Sequence, residues 1–534
     1  MKFTSILLAG TLFAADLAQE GQRWWSHIQV LADDKMEGRN TGSEGHKRAA
    51  LYVAEQFDNA GLAPAGTSGY MQAVKLNVTQ IDEPQSSLSV AKKVKNVWKT
   101  TPLKLGEDAV LSVRDGLAPT IDAPAVFVGY GLSVPESNYD DFAGLDLKGK
   151  ILVYLTGGPP TIPSALRAHY SSRPERWKAM EKAGAVGIVE IPNPRSMDIP
   201  WSRSSLARFG PTMSLADPAF EEIHGLKFSA RINPAHAEKI LGDSGTSLSD
   251  LLELVNNRLP LPKFPLNLNF RAKVAIKHSE VESQNVVGVL AGSDPRLKSE
   301  YVVFSAHLDH VGVGEPVTSD KTGDKIYNGA MDDASGVASL IEIANMLKAQ
   351  KTKLKRSVIF LTVTGEEKGL LGSRFFSVNP TVPKQNIVAD INMDMFLPLF
   401  PLRYLEVQGL AESTLGNDIR GVCEKAGVAV QADKEPDRNL FIRSDQYSFI
   451  RQGVPALAFK FGYEPGSPEE TTAKNWLQNR YHAPSDDLNQ PVDTAAAAKF
   501  NRILLDLGTK VANAKDRPQW SANSFFRRFA EGSN

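Results

Sequence analysis

The sequence predicts an α/β protein: a mostly parallel, mixed sheet covered by helices on both faces, together with an inserted α+β domain. After residue 280, short apolar runs rich in Val, Ile and Phe alternate with segments of helical periodicity, which is typical of a parallel sheet. Between 123 and 277, β-rich runs follow one another through turn-rich stretches, which indicates a separate unit.

The elements can be followed along the chain. Two helices are predicted over 21–62, and the second ends at Gly61. The inserted unit has predicted strands at 123–131, 150–158, 185–191 and 264–277 and a helix at 174–184. Beyond it, strands are predicted at 301–306, 357–364, 387–395 and 455–461, with helices over 337–347, from 370, and over 492–513.

These patterns predict five segments. They are a signal peptide at 1–18, an N-terminal helical part of the main domain at 19–105, the insertion at 106–279, the rest of the main domain at 280–515, and a tail at 516–534. The run Ile6–Ala15 is too short for a membrane span, which needs about 20 residues. It suits the apolar part of a signal peptide, with an ordinary apolar helix or strand as the alternative. We therefore expect a secreted or periplasmic protein without a membrane span.

Composition excludes several classes. The 534 residues contain 60 Lys and Arg against 61 Asp and Glu, so no strongly basic face for nucleic acid is expected. A hydrophobic fraction of 42% is ordinary for a globular protein of two or three domains. Cys423 is the single cysteine of the sequence, which excludes an intrachain disulfide and a cysteine-based zinc finger.

Histidines and acids follow the predicted strands in a set of short motifs. They are SAHLDH (305–310), GAMDDASG (329–336), TGEEKGLLGS (364–373), NMDM (392–395) and YHAPSDD (481–487). Each is weak alone: His482 could be structural, Glu366–Glu367 a surface pair, and Asp332–Asp333 a helix cap. Parallel strands bring their carboxyl ends to one edge, where clustered carboxylates would repel unless cations neutralise them.

Imidazole and carboxylate together form a good ligand set for Zn²⁺, although Co²⁺ and Mn²⁺ accept the same donors. Two metals about 3.5–4 Å apart need a bridging carboxylate and two terminal ligands each. Two His and three acids would supply that number and leave one Glu free to act on water.

In this order, the motifs resemble the zinc-dependent aminopeptidase family that also includes glutamate carboxypeptidase-like enzymes, over about 20–65 and 285–510. The resemblance implies two Zn²⁺ per chain: one held by His307 and Asp394, the other by Glu367 and His482, both bridged by Asp332. It further implies Glu366 as general base, Tyr481 as hydrogen-bond donor to the oxyanion, and Asp309 as the carboxylate that orients the His307 imidazole.

Other segments extend the resemblance. Residues 123–200 are similar to a protease-associated domain, and LADDKMEGRNTGSEGHKRAALYVAEQF resembles the family's opening helices. In RSDQYSFIRQGVPAL (443–457), Gln446 stands where the family often has His. Arg443 could contact substrate or only pin a loop. His310, beside the ligand motif, is expected to line the site without binding metal.

The predicted function is therefore a di-zinc aminopeptidase acting on peptides. Within the same family, a glutamate-type carboxypeptidase stays open, but it should show several arginines around the site. A single-zinc glutaminyl cyclase would not need all five ligand positions. A non-catalytic binding protein on the same fold is the alternative from another class, and the complete ligand set argues against it.

Overall fold

The computed structural model describes residues 2–113, 117–197, 199–317, 323–350, 353–435, 438 and 440–532, with side chains from residue 15 onward. It divides into two compact units. The first unit comprises the chain up to Lys75, Glu282–Lys434 and the chain from Leu440, whereas the second comprises Leu76–Val281 and Glu435–Asn439. Among the described residues, no helix has both the length and the apolar character that crossing a membrane would require.

A mixed sheet forms the centre of the first unit. In order, its strands are Met71–Ile81, Ile276–Leu290, Ser357–Val363, Tyr301–His307, Ile387–Asn392, Ala456–Gly462, Tyr404–Gln408 and Ala429–Ala432. The first two continue into the second unit, where Thr212–Leu215 pairs with residues 76–79. The pairings among Ser357–Val363, Tyr301–His307, Ile387–Asn392 and Ala456–Gly462 are parallel. Ile276–Leu290 and Tyr404–Gln408 join this parallel centre by antiparallel pairings.

Helices cover both faces of this sheet, because alternate side chains of its strands point to opposite sides. Val302 and Phe304 pack with the helices Ser335–Gln350 and Thr494–Asn513 on one face. Val303, by contrast, packs on the other face with Phe376 and Phe449, which belong to the helices Leu371–Val378 and Gln446–Ile450. The predicted α/β fold class is confirmed.

The remaining helices of the first unit are Lys2–Leu31, Glu44–Asn59, Leu415–Lys425 and Pro468–Asn479. The first predicted helix begins at Lys2 and not at 21, whereas the other predicted helices and strands of the main domain are present with ends shifted by a few residues. The strands Tyr404–Gln408 and Ala429–Ala432 were not predicted, because they are short and the second is partly exposed.

The second unit contains its own sheet with helices. In order, its strands are Val97–Leu103, Ser87–Val94, Lys263–Lys273, Thr120–Val128, Ile151–Leu155, Gly187–Ile191, Phe228–Ile232 and Ala109–Leu111. Its helices are Ser164–Ser171, Arg173–Lys182, Trp201–Ser204, Glu238–Leu241 and Leu248–Asn256. Its identity as a protease-associated domain stays a prediction.

The predicted start of the insertion at 106 is wrong. The strands Ser87–Val94 and Val97–Leu103 pair with each other, and the first pairs with Lys263–Lys273, so both belong to the second unit. The sequence obscured this boundary because 84–122 is polar and weakly patterned. The single strand predicted at 264–277 is also two strands, Lys263–Lys273 and Ile276–Leu290.

Candidate metal centre

The predicted site residues gather at the carboxyl ends of the parallel strands, as the fold class requires. His307 is the last residue of its strand, and Asp394 follows Ile387–Asn392 by two residues. Glu366 and Glu367 follow Ser357–Val363. Asp332 lies in the turn before the helix Ser335–Gln350, and His482 lies in the turn after Pro468–Asn479. One pocket is lined by His307, Asp332, Glu366, Asp394, Arg443, Tyr481 and His482.

His307, Asp332 and Asp394 form a first group. The Nε2 atom of His307 lies 3.2 Å from Oδ1 of Asp332 and 3.5 Å from Oδ1 of Asp394. One donor atom from each residue falls within 4.8 Å of the others, which is close enough for a shared metal ion.

A second group surrounds the other oxygen of Asp332. The Nε2 atom of His482 lies 3.2 Å from Oδ2 of Asp332 and 3.1 Å from Oε2 of Glu367. On the other side, Nδ1 of His310 lies 2.8 Å from Oε1 of Glu367 and 3.7 Å from Oδ2 of Asp332. Asp332 therefore presents one oxygen to each group, as a bridging ligand would.

His310 has a larger place in this geometry than its sequence position suggested. Its donor atoms, with those of Asp332 and Glu367, meet the spacing of a metal-binding group. Its side chain is fully buried. The available signal was its position three residues after His307 at the end of the same strand, which brings both rings to one edge.

The residues fit a metal, because several of their buried polar atoms approach only the other members of the cluster. Nδ1 and Nε2 of His310, Oδ2 of Asp332 and Oε1 of Glu367 are buried and make no hydrogen bond of normal geometry within the described chain. Buried polar atoms are normally satisfied, so a cluster of such atoms on mixed nitrogen and oxygen donors points to a bound cation. Zn²⁺ accepts this donor set.

The electrostatics of the groups are strongly coupled. Burial opposes protonation of His482, but the carboxylates of Glu367 and Asp332 outweigh it and raise the pKa of His482 to about 10. His307 is affected in the same way by Asp332 and Asp394, so its pKa lies well above the usual value. The carboxylates thus favour the protonated forms of His307 and His482 in the metal-free protein.

Glu366 differs from its neighbour Glu367. Burial and the nearby carboxylates of Asp394, Asp445 and Glu367 raise the pKa of Glu366 well above its usual value, with His307 opposing. Burial also penalises charge on Glu367, but His482 outweighs that effect and lowers the pKa of Glu367. The pKa values of these adjacent carboxyl groups are thus shifted in opposite directions.

The predicted contact between the Asp309 carboxylate and the His307 imidazole is wrong. Nδ1 of His307 lies 2.9 Å from the main-chain oxygen of Asp309, because the chain turns back within two residues. The Asp309 carboxylate instead accepts hydrogen bonds from the Thr41 hydroxyl at 2.8 Å and from the Glu366 amide at 3.1 Å. The carbonyl therefore orients the imidazole, and the carboxylate positions the backbone of Glu366.

The pair Asp332–Asp333 divides two roles. While Asp332 faces the histidines, Asp333 accepts from the amides of His307 at 3.2 Å, Gly336 at 3.0 Å and Met395 at 3.2 Å. Asp333 therefore caps the helix, which was the alternative interpretation of this pair, and it also holds the main chain at His307 and Met395.

The same pocket is also lined by Gln408, Leu440, Arg443, Ser444, Gln446 and Lys460. Gln446 is fully buried; its oxygen accepts from Nδ2 of Asn392 at 2.8 Å, and its nitrogen donates to the Phe441 carbonyl at 3.0 Å. Arg443 is exposed and Lys460 half-buried. The Tyr481 ring lies against the His482 ring, with centroids 4.1 Å apart. The role of its hydroxyl as a donor to the oxyanion stays a prediction.

A histidine–carboxylate cluster at the carboxyl edge of an α/β sheet is the arrangement expected of a metallohydrolase. Residues 285–508 match the family described as Peptidase family M28. This match confirms the predicted resemblance of this part of the chain to zinc-dependent metallopeptidases.

Curated relatives include both kinds of exopeptidase. The chain is 27% identical over 214 residues to Aminopeptidase Y of Saccharomyces cerevisiae, covering 39% of this chain and 35% of that protein. It is 28% identical over 127 residues to Carboxypeptidase Q of Xenopus laevis, covering 23% of this chain and 24% of that protein. The matched part thus spans well under half the length of either relative.

A solved aminopeptidase from Aneurinibacillus sp. strain AM-1 has the same fold. It is 18% identical, with a TM-score of 0.54, and the alignment covers 93% of this chain and 95% of that one. The similarity supports the α/β architecture described above.

Proposed function

We propose that this chain is a di-zinc exopeptidase that removes residues from free peptide N-termini. The observation that carries the proposal is the sharing of Asp332 between two histidine–carboxylate groups, with Glu366 beside them in the same pocket. His307 and Asp394 would hold one zinc, and Glu367 and His482 the other. Such ions lower the pKa of a bound water and polarise a peptide carbonyl.

The chain's own residues would move the proton. Glu366 lines the pocket without being needed as a ligand, so its carboxylate can accept a proton from the attacking water and deliver it to the leaving amine. The Asp309 carboxylate holds the Glu366 amide and so fixes this position. Tyr481, at the pocket wall, would donate to the developing oxyanion. The carboxylates nearby would attract the α-ammonium of a free N-terminus.

A carboxypeptidase is the second candidate, because the pocket lining includes cations. Arg443 and Lys460 both line the pocket, and either cation could receive a substrate carboxylate. The cations also fit an acidic side chain at a substrate N-terminus, so they do not decide between the two activities.

Peptide trimming read by mass spectrometry separates these functions. Free, N-acetylated and C-amidated forms of the same peptides would be incubated with the full chain, with and without chelator. We expect stepwise loss from free N-termini only, abolished by chelator. Loss from free C-termini of acetylated peptides would establish the carboxypeptidase instead, whereas no cleavage by metal-loaded protein would contradict both.

The assigned base has its own test. Glu366→Gln should bind as much zinc as the wild type, because Glu366 is not a predicted ligand, and should lower kcat by about 10²- to 10⁴-fold. Zinc content and kcat would be measured on the same preparation. Near-normal turnover in this variant would exclude the assigned role.

The native location is a separate matter: we propose export on the basis of the apolar N-terminal run, and this stays a prediction.

A further inference from the structure

Arg39 is a fully buried arginine that lies behind the metal centre and takes no part in the proposed chemistry. Its guanidinium donates to main-chain oxygens of Leu31 and Asn328 at 2.6 Å, and of Leu308 and Gly329 at 2.9 Å. A planar guanidinium presents several donors in a fixed fork, so one side chain can hold several carbonyls in a set arrangement.

Two of these contacts belong to segments that carry the predicted ligands. Leu308 lies between His307 and Asp309, whereas Asn328 and Gly329 begin the turn that ends at Asp332, here called the 328–332 turn. Arg39 therefore joins the two segments directly through their backbones.

The backbone around Arg39 adds to this link. The Arg39 carbonyl accepts from the His310 amide at 3.3 Å, and the Thr41 hydroxyl donates to the Asp309 carboxylate at 2.8 Å. Leu308, Asp309 and His310 are thus all held by residues 39–41.

The conformation of this segment is unusual. Glu37, Gly38 and Arg39 have φ of 50°, 61° and 49°, in the left-handed region. A non-glycine residue keeps this conformation only where its surroundings over-determine it. A Cβ on Gly38 would lie 2.4 Å from the Tyr327 oxygen, so residues 37–39 pack closely against the residue that precedes the 328–332 turn.

The 328–332 turn is held from its other side by Asp486. This buried carboxylate accepts from the Met331 amide at 2.9 Å and the Asp332 amide at 3.0 Å. Arg39 thus binds carbonyls at the start of the turn, and Asp486 binds amides at its end.

We propose that Arg39 is a positioning residue that sets the distance between the segment carrying His307 and His310 and the turn carrying Asp332. It thereby sets the affinity of the centre for divalent metal. This inference rests on the proposed metal ligands. A cation near the site would by itself repel a metal ion, so the benefit must come from geometry, which a lysine cannot reproduce.

Arg356 provides a matched control. It is also fully buried and donates to main-chain oxygens of Val511 at 3.1 Å and Ala514 at 2.6 Å, but it lies at the amino end of its strand. Arg39→Lys and Arg356→Lys each keep a buried charge and lose the fork.

The experiment measures zinc affinity of the full chain by competition with a chromophoric chelator, and stability of the metal-free protein by urea unfolding. We expect Arg39→Lys to weaken zinc binding by about 10- to 100-fold. Arg356→Lys should stay within about twofold of wild type, although both variants lose stability. The absorption spectrum of the Co²⁺-loaded protein should change in Arg39→Lys only, since it reports ligand geometry.

Wild-type zinc affinity and an unchanged Co²⁺ spectrum in Arg39→Lys would overturn the inference and leave the proposed function intact. Equal weakening by both variants would also overturn it, because it would indicate a general loss of rigidity. Failure of the wild type to bind zinc would instead overturn the proposed function, and this inference with it. If Arg39→Lys does not fold, Gly38→Ala decides, because its Cβ would push the Arg39 segment away from Tyr327 without changing a charge: weaker zinc binding supports the proposal, and wild-type binding overturns it.

Discussion

The two ends of the central parallel strands carry clusters of charged side chains that differ in their hydrogen bonding. At the amino ends, Glu300 accepts hydrogen bonds from Nε of Arg356 at 2.7 Å and Nε of Arg517 at 2.9 Å. At the carboxyl ends, His310, Asp332 and Glu367 have buried polar atoms without normal hydrogen bonds in the described chain. The first cluster is held by hydrogen bonds of normal geometry, whereas the polar atoms of the second approach only one another and can bind a cation.

This difference separates stability from function along the same strands. A satisfied ion cluster can stabilise the fold but has nothing left to offer a ligand. Buried nitrogen and oxygen atoms without normal hydrogen bonds lower the stability of the metal-free protein, and they are expected where a ligand binds. Substitutions at the two ends should therefore affect different measurements.

Asp332→Asn should break the carboxyl end with the largest effect on activity. The amide cannot bridge two cations as a carboxylate does, so zinc content should fall and kcat should drop by about 10³-fold, or about 4 kcal/mol in the barrier. Zinc content by mass spectrometry and kcat on a trimmed peptide would be compared with wild type. Full zinc content with normal turnover would show that Asp332 is not a shared ligand.

Glu300→Gln is the converse substitution at the amino end. It leaves Arg356 and Arg517 without their carboxylate and should lower the free energy of unfolding by about 1–2 kcal/mol, with kcat unchanged, because solvent screens part of this cluster. Burial raises the pKa of Glu300, but both arginines outweigh it and lower it below the usual value. A lowered folded-state pKa stabilises above the unfolded-state pKa and is lost as pH falls toward the folded one. The difference from wild type, measured by urea unfolding, should therefore be full at pH 7 and shrink below about pH 4.5.

Much of the fold could be predicted from the sequence, because buried parallel strands read as continuous apolar runs. Tyr301–His307 and Ser357–Val363 are of this kind and are almost fully buried. Val97–Leu103 gave no such signal, since six of its seven residues are exposed at the edge of its sheet, and the boundary at 106 was misplaced as a result.

The candidate site was predictable where strand order determines proximity. His307 and Asp394 each stand at a strand end, so their meeting follows from a parallel sheet. The contacts of Asp309 and Arg39 were not predictable, because they depend on main-chain carbonyls and amides, which every residue has and no motif reveals. His310 was underestimated because its burial is set by packing from distant segments.

His310→Asn sharpens the comparison with an intermediate effect. His310 contacts Glu367 from the side opposite to His482, so its loss should free Glu367 and weaken the second zinc by about tenfold. His482→Asn, at a predicted ligand, should remove that zinc altogether. Zinc content at limiting free metal would be measured for both. If His310→Asn loses more zinc than His482→Asn, then His310 is the ligand and the assignment of the second site is reversed.

The smallest expected effect concerns Arg443 and Lys460, the two cations of the pocket lining that could contact substrate. If Arg443 and Lys460 receive an acidic group of the substrate, Arg443→Met and Lys460→Met should each lower kcat/KM for peptides with an acidic N-terminal residue by about threefold to tenfold. Solvent screens the exposed Arg443, so this effect should decrease with added salt. Peptides with a neutral N-terminal residue should be cleaved as by wild type, and Arg403→Met, an exposed arginine outside the pocket lining, should change neither rate. Equal losses on acidic and neutral peptides would mean that these cations shape the pocket without reading the substrate's charge.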